Sequence, residues 1–149
     1  MAKGANFERL CCRMLSVWWT SNPENDSVFW RSCQSGGRAT TRAKQGKTMQ
    51  GHCGDVAATQ ACGVPLLEVL TIELKRGYNK DTLGDLLDKS IKKPTQKTYE
   101  AWYQQATEAA ERAKSLSWVI VQRRDQHEAV ITMPWSLWER LRKAGSFQT

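Results

Sequence analysis

The segment Leu66–Lys75 constrains this chain more than any other. Leu70, Ile72 and Leu74 alternate with Thr71, Glu73 and Lys75, and successive side chains of a strand point to opposite faces. One face therefore needs an apolar layer beneath it, while the other brings a carboxylate and an amine out side by side. Upstream, Asp55-Val-Ala-Ala58 suits a strand and Gly63-Val-Pro65 a turn. The expectation is a hairpin pairing the two strands, with Asp55 beside Glu73.

The rest of the chain alternates helical and strand periods. Phe7, Leu10, Cys11, Met14, Leu15 and Trp18 recur at helical spacing, which predicts an amphipathic helix over Ala5 to Trp19 buried along that stripe. Ser27 to Cys33 has the bulky content of a short strand. Leu83, Leu86, Leu87 and Ile91 mark a short helix, and Tyr99, Trp102, Tyr103, Ala106, Ala109, Ala110 and Ala113 a longer one. Trp118–Val121 and Ala129–Met133 flank the charged turn Arg123 to His127 as paired strands, and Trp135 to Lys143 closes as a helix. This order predicts an α/β (α+β) fold, a central mixed sheet flanked by helices. With 149 residues, one domain over 1–149 is expected. Trp18, Trp102 and Trp138 lie on apolar helical faces and are expected in the core, which leaves Trp19 and Trp30 for stacking on bases.

A net charge of +7 and a pI near 9.3 favour a polyanionic partner, nucleic acid first. Between Gln34 and Cys53 the chain holds Arg38, Arg42, Lys44 and Lys47 and no acid. This stretch reads as a basic mobile loop, with Ser35 and its glycines suited to a phosphate backbone and Arg31 at its edge. No apolar run is long enough to span a membrane, and no secretory signal is present, so no membrane partner and a cytoplasmic location are expected. Five cysteines in no framework spacing are expected to be reduced thiols. His52, Cys53 and Cys62 lack the spacing and the fourth ligand of a zinc site.

Two carboxylates held close repel each other unless a cation lies between them, and a hard divalent ion such as Mg²⁺ or Mn²⁺ prefers oxygen ligands of this kind. Asp55 and Glu73 are thus candidate metal ligands. Lys75 beside them is placed to orient a water or stabilise a phosphoryl oxygen. The alternative is a non-catalytic nucleic-acid-binding module with Glu73 and Lys75 as a solvated strand-edge ion pair. Clustered carboxylates facing a polyanion argue against it.

Gly54-Asp55 followed by Ile72-Glu73-Leu74-Lys75 resembles the bipartite signature of the PD-(D/E)XK nuclease superfamily, although the family's preceding proline is missing. The family core of helix, three strands, helix and strand is similar to the order above, and the resemblance extends to small phage-borne members and Holliday-junction resolvases. It implies a restriction-endonuclease-like core in a phage-encoded, metal-dependent DNA endonuclease, structure-selective or nicking. It further implies Asp55, Glu73 and the Leu74 carbonyl as ligands of Mg²⁺ or Mn²⁺, Lys75 as the catalytic lysine, Glu8 as an extra acid from the first helix, and Gln104 or Gln105 as the second helix's glutamine, with Gln105 at the DNA. A symmetric two-strand cut would call for a homodimer.

Overall fold

The computed structural model describes residues 3–32, 54–79 and 98–145. Helix α1 (Lys3–Thr20) packs on a pair of short antiparallel strands, β1 (Phe29–Arg31) and β2 (Val56–Ala58). A one-turn 3₁₀ segment (Ala61–Gly63) and helix α2 (Val64–Val69) lead into β3 (Leu70–Arg76). Helix α3 (Thr98–Ala113) then carries the chain to β4 (Ser117–Arg123), followed by β5 (Val130–Thr132) and helix α4 (Trp135–Ala144).

The expected mixed sheet is present in the order β3-β4-β5, with β3 parallel to β4 and β4 antiparallel to β5. A parallel pair needs a long crossover, and α3 lies within it. In the β3–β4 register Glu73 stands opposite Ile120 and Lys75 opposite Gln122. One face of the sheet holds Ile72 and Leu74 against Phe7 and Cys12 of α1, while Trp118 and Ile120 on the other meet Trp102, Ala106 and Ala110 of α3. Both faces are covered, which is why Thr71 through Leu74 are all buried.

The hairpin expected between Asp55–Ala58 and Leu66–Lys75 does not form. β2 pairs with β1 instead, Phe29 opposite Ala58 and Arg31 opposite Val56, and the first part of the expected strand is helical. Pro65 explains this: in the first turn of α2 its fixed φ suits a helix start and its missing N–H costs nothing. Leu66 and Leu67 are buried as neighbours, a helical arrangement.

The buried stripe of α1 is also rotated from the expected one. Phe7, Cys12 and Ser16 face inward, whereas Leu10, Met14 and Trp18 are exposed, Trp18 to 66 %. Ser16 decides the rotation, because its Oγ donates to the Cys12 carbonyl at 2.8 Å and accepts from the Phe29 N–H at 2.9 Å. A fully buried hydroxyl that is satisfied twice ties the helix to β1, and hydrophobic periodicity does not register it. Trp102 is in the core as expected. Trp138 is 44 % exposed, because α4 buries only Leu137.

The expected short helix around Leu83 to Ile91 and the basic stretch 34–53, with Ser35, Arg38, Arg42, Lys44 and Lys47, lie outside the described residues. Among the described residues no helix is long and apolar enough to cross a membrane.

Candidate active site

Asp55 reaches β3 without a hairpin. Its backbone N–H donates to the Ile72 carbonyl at 2.9 Å, and its Oδ2 accepts from the Leu74 N–H at 2.8 Å. Ser32 holds the segment from behind, its N–H donating to the Asp55 carbonyl at 2.8 Å and its Oγ to the Gly54 carbonyl at 2.6 Å. Nothing in the sequence signals that serine, since a polar residue at a strand end is ordinary. Gly54 is where close approach matters: a Cβ there would lie 2.7 Å from the Ile72 carbonyl oxygen and 3.0 Å from Thr71 Cγ2. The glycine lets the Asp55 segment lie directly on the β3 backbone. Gly54→Ala is therefore expected to destabilise the fold by roughly 1–3 kcal/mol and to lower cleavage further by displacing Asp55. Urea unfolding alongside a DNA cleavage assay checks it; unchanged cleavage would show that Asp55 tolerates the shift.

Glu73, Lys75 and Gln105 form one connected group. Glu73 is 2 % exposed. The Lys75 ammonium lies 3.5 Å from Glu73 Oε2 and donates to Gln105 Oε1 at 2.8 Å, while Gln105 Nε2 donates to Glu73 Oε2 at 3.2 Å. Of the two glutamines considered, Gln105 meets the group; Gln104 instead donates to Glu108 on its own helix. Burial pushes the Glu73 carboxyl up to about 7, with the Asp55 charge and a hydrogen bond that the protonated carboxyl donates to Asp55 adding to the rise and Lys75 opposing it. A carboxyl so placed favours a shared proton, or a cation in the proton's place.

Glu8 and Arg31 pair with each other through Glu8 Oε2 and Arg31 Nε, largely shielded from solvent. Glu8 is thus engaged by a guanidinium, and Arg31 already has a carboxylate partner. The pair is still close to the site, since Glu8, Arg31 and Asp55 all act on the buried Cys12 thiol, whose burial pushes it up to about 12. Cys11 is likewise pushed up to about 11 by burial, so neither thiol is reactive. At the end of β3, Arg76 pairs with Asp125 at 2.7 Å, and Asn79 and Asp125 exchange two hydrogen bonds, which fixes the turns after β3 and β4 together.

The donors suit a hard ion: carboxylate oxygens, with no thiolate or imidazole among them. Among the described residues no group of three or more His, Cys, Asp or Glu forms, so side chains supply Asp55 and Glu73 alone. In an extended strand the N–H and C=O of one residue face the same edge. The Leu74 carbonyl therefore faces the edge at which its N–H meets Asp55, which makes it a natural third oxygen.

A mixed sheet covered by helices on both faces, with Gly-Asp laid against the strand that carries Glu-x-Lys, is the restriction-endonuclease-like core of the PD-(D/E)XK nucleases. Within that class the family model described as "Phage putative PDDEXK endonuclease" matches residues 1–148, and the chain belongs to that family. No curated protein and no solved structure matches it.

Proposed function

We propose that the protein is a divalent-metal-dependent endonuclease that hydrolyses phosphodiester bonds in DNA. The observation that carries this reading is a Glu73 carboxyl, buried against Asp55 and bonded to Lys75 and Gln105, whose proton affinity is far above that of an ordinary surface glutamate. A solvated strand-edge ion pair would be exposed and worth little, whereas the side chain of Glu73 is 3 % exposed and that of Lys75 12 %.

Asp55, Glu73 and the Leu74 carbonyl would hold Mg²⁺ or Mn²⁺. When bound, such an ion supplies Lewis acidity at a phosphoryl oxygen and lowers the pKa of water. Lys75 donates to the attacking water or to a non-bridging phosphate oxygen as negative charge grows there. Gln105 holds the Lys75 ammonium on one side and Glu73 on the other, so that the lysine points into the reaction zone. Glu8 and Arg31 pair with each other beside the site.

The resemblance to the superfamily's junction resolvases suggests structure-selective cutting, or nicking, and a homodimer for paired cuts. The test is cleavage of labelled duplex, nicked, flap and four-way-junction DNA with Mg²⁺, with Mn²⁺ and with chelator. Metal-dependent cutting is expected. No cutting of any substrate, with DNA binding retained, would favour the binding-module reading.

The backbone grip is assigned to the basic stretch. Neutralising Arg38, Arg42, Lys44 and Lys47 together is expected to weaken DNA binding and flatten its salt dependence, by roughly 0.9 in log-log slope for each phosphate that is no longer neutralised. A salt titration of the quadruple variant reads this, and an unchanged slope would place the grip elsewhere.

A further inference from the structure

Gln122 lies beside Lys75. The two are register partners on adjacent parallel strands, which lie about 4.8 Å apart, and residues in register present their side chains to the same face. That face carries Thr71, Glu73 and Lys75 on β3 and Trp118, Ile120 and Gln122 on β4. Trp118 and Ile120 are buried in the apolar cluster under α3, and Lys75 meets Gln105 of α3. Gln122 thus continues an apolar row into the candidate active site.

An apolar side chain would be the less demanding choice at this position. Gln122 is only 9 % exposed, yet among the described residues its amide has no hydrogen-bond partner. No fully enclosed side-chain polar atom is left unpaired among those residues, so the amide keeps a narrow opening to solvent. An amide at such an opening has water as its partner in the free protein, and a ligand that offers an acceptor there can take the water's place. The register neighbour of Gln122 is Lys75, whereas Arg76 and Arg123 end the same two strands on the opposite face, Arg76 paired there with Asp125. A ligand that enters beside the Lys75 ammonium is an anion.

We propose that Gln122 is a further substrate-binding residue, donating its amide N–H to a non-bridging oxygen of the phosphodiester backbone of the strand being cut. This rests on the nuclease reading above. The amide recognises phosphate without adding charge, and it meets the oxygen from the β4 side while Lys75 meets it from β3.

The experiment compares wild type with Gln122→Leu and Gln122→Glu in the full chain by urea unfolding, by DNA affinity in chelator across a salt series, and by single-turnover cleavage with Mg²⁺. Gln122→Leu is expected to leave the urea midpoint unchanged or raise it, because the amide has no partner among the described residues to lose and the replacement is apolar and of similar size. It should nevertheless bind DNA and cleave it roughly tenfold or more less well, the loss of one hydrogen bond to a charged group. The log-log salt slope should not change, since a neutral donor releases no counterion. Gln122→Glu, which faces phosphate with a carboxylate, should lose more. A residue serving only the fold would give the opposite pattern, a lower midpoint with normal affinity and normal cleavage per folded molecule, and that would overturn the proposal. So would wild-type affinity and cleavage in Gln122→Leu. If wild type failed to cut while Gln122→Leu still bound DNA tenfold more weakly, the nuclease reading would fall and the phosphate contact would stand.

Discussion

Glu73→Gln is expected to be dead in cleavage and, at neutral pH without metal, more stable than wild type. The first effect follows from removing one of two carboxylates able to hold a divalent ion, and Asp55→Asn should share it. The second follows from proton linkage. The Glu73 pKa rises from an ordinary 4.5 to about 7 on folding, so between those values the native state holds a proton that the unfolded chain has released. Below pH 4.5 the favourable contribution is complete; it fades as pH rises and is gone above about 7. The difference amounts to roughly 3 kcal/mol, from about 1.4 kcal/mol per pKa unit. Glutamine does not titrate, so its stability relative to wild type should grow across this window by that order. Adding Mg²⁺ or Mn²⁺ should then stabilise wild type and not the variant, because a ligand that binds only the native state shifts the equilibrium by mass action. Urea midpoints of both proteins from pH 4 to pH 8, with chelator and with metal, check this. A constant difference across the range would mean that Glu73 is ionised throughout and that no cation is needed between it and Asp55.

The carboxylate pair is legible in the sequence because strand alternation depends only on the backbone, and β3 is regular from Leu70 to Arg76. Asp55 arrives where expected by a different route. The sequence pairs it with β3 through a hairpin, whereas in the fold β2 pairs with β1, and a single backbone bond from Asp55 to Ile72 makes the join. Pro65 signals a break, but a turn and the first turn of a helix use the same φ, so the residue alone does not distinguish them. The rotation of α1 is hidden because it depends on Ser16, a polar side chain whose partners, Cys12 and Phe29, become known only when helix and strand meet. Size and spacing place Trp18 and Trp138 in the core, but the rotation of α1 turns Trp18 outward and α4 buries only Leu137. Gln105 is separable from Gln104 only by the direction each takes from α3. Gln122 escapes a sequence reading because Trp118 to Val121 is a plain apolar run and the row's one polar member falls just past it.

Lys75 differs from the acids in what its removal should do. An ammonium has donors and no lone pair, so it cannot ligate an ion, yet it can hold the attacking water or a phosphate oxygen. In the fold it sits 3.5 Å from Glu73 Oε2 and 2.8 Å from Gln105 Oε1, partly compensating a carboxyl that burial and Asp55 push the other way. Lys75→Ala is therefore expected to lose cleavage by at least about a hundredfold, in the range of a lost general acid–base or charge-stabilising group. The same change should leave metal binding intact and, if anything, tighten it, because an ion then becomes the main compensation for Asp55 and Glu73. Glu73→Gln should show the reverse pairing, with loss of both metal binding and cleavage. Calorimetric titration of Mn²⁺ into wild type, Lys75→Ala and Glu73→Gln, alongside single-turnover cleavage, separates the two roles. Loss of metal binding in a folded Lys75→Ala protein, or cleavage at the wild-type rate, would remove the lysine from the chemical step and return it to the role of a buried ion-pair partner for Glu73.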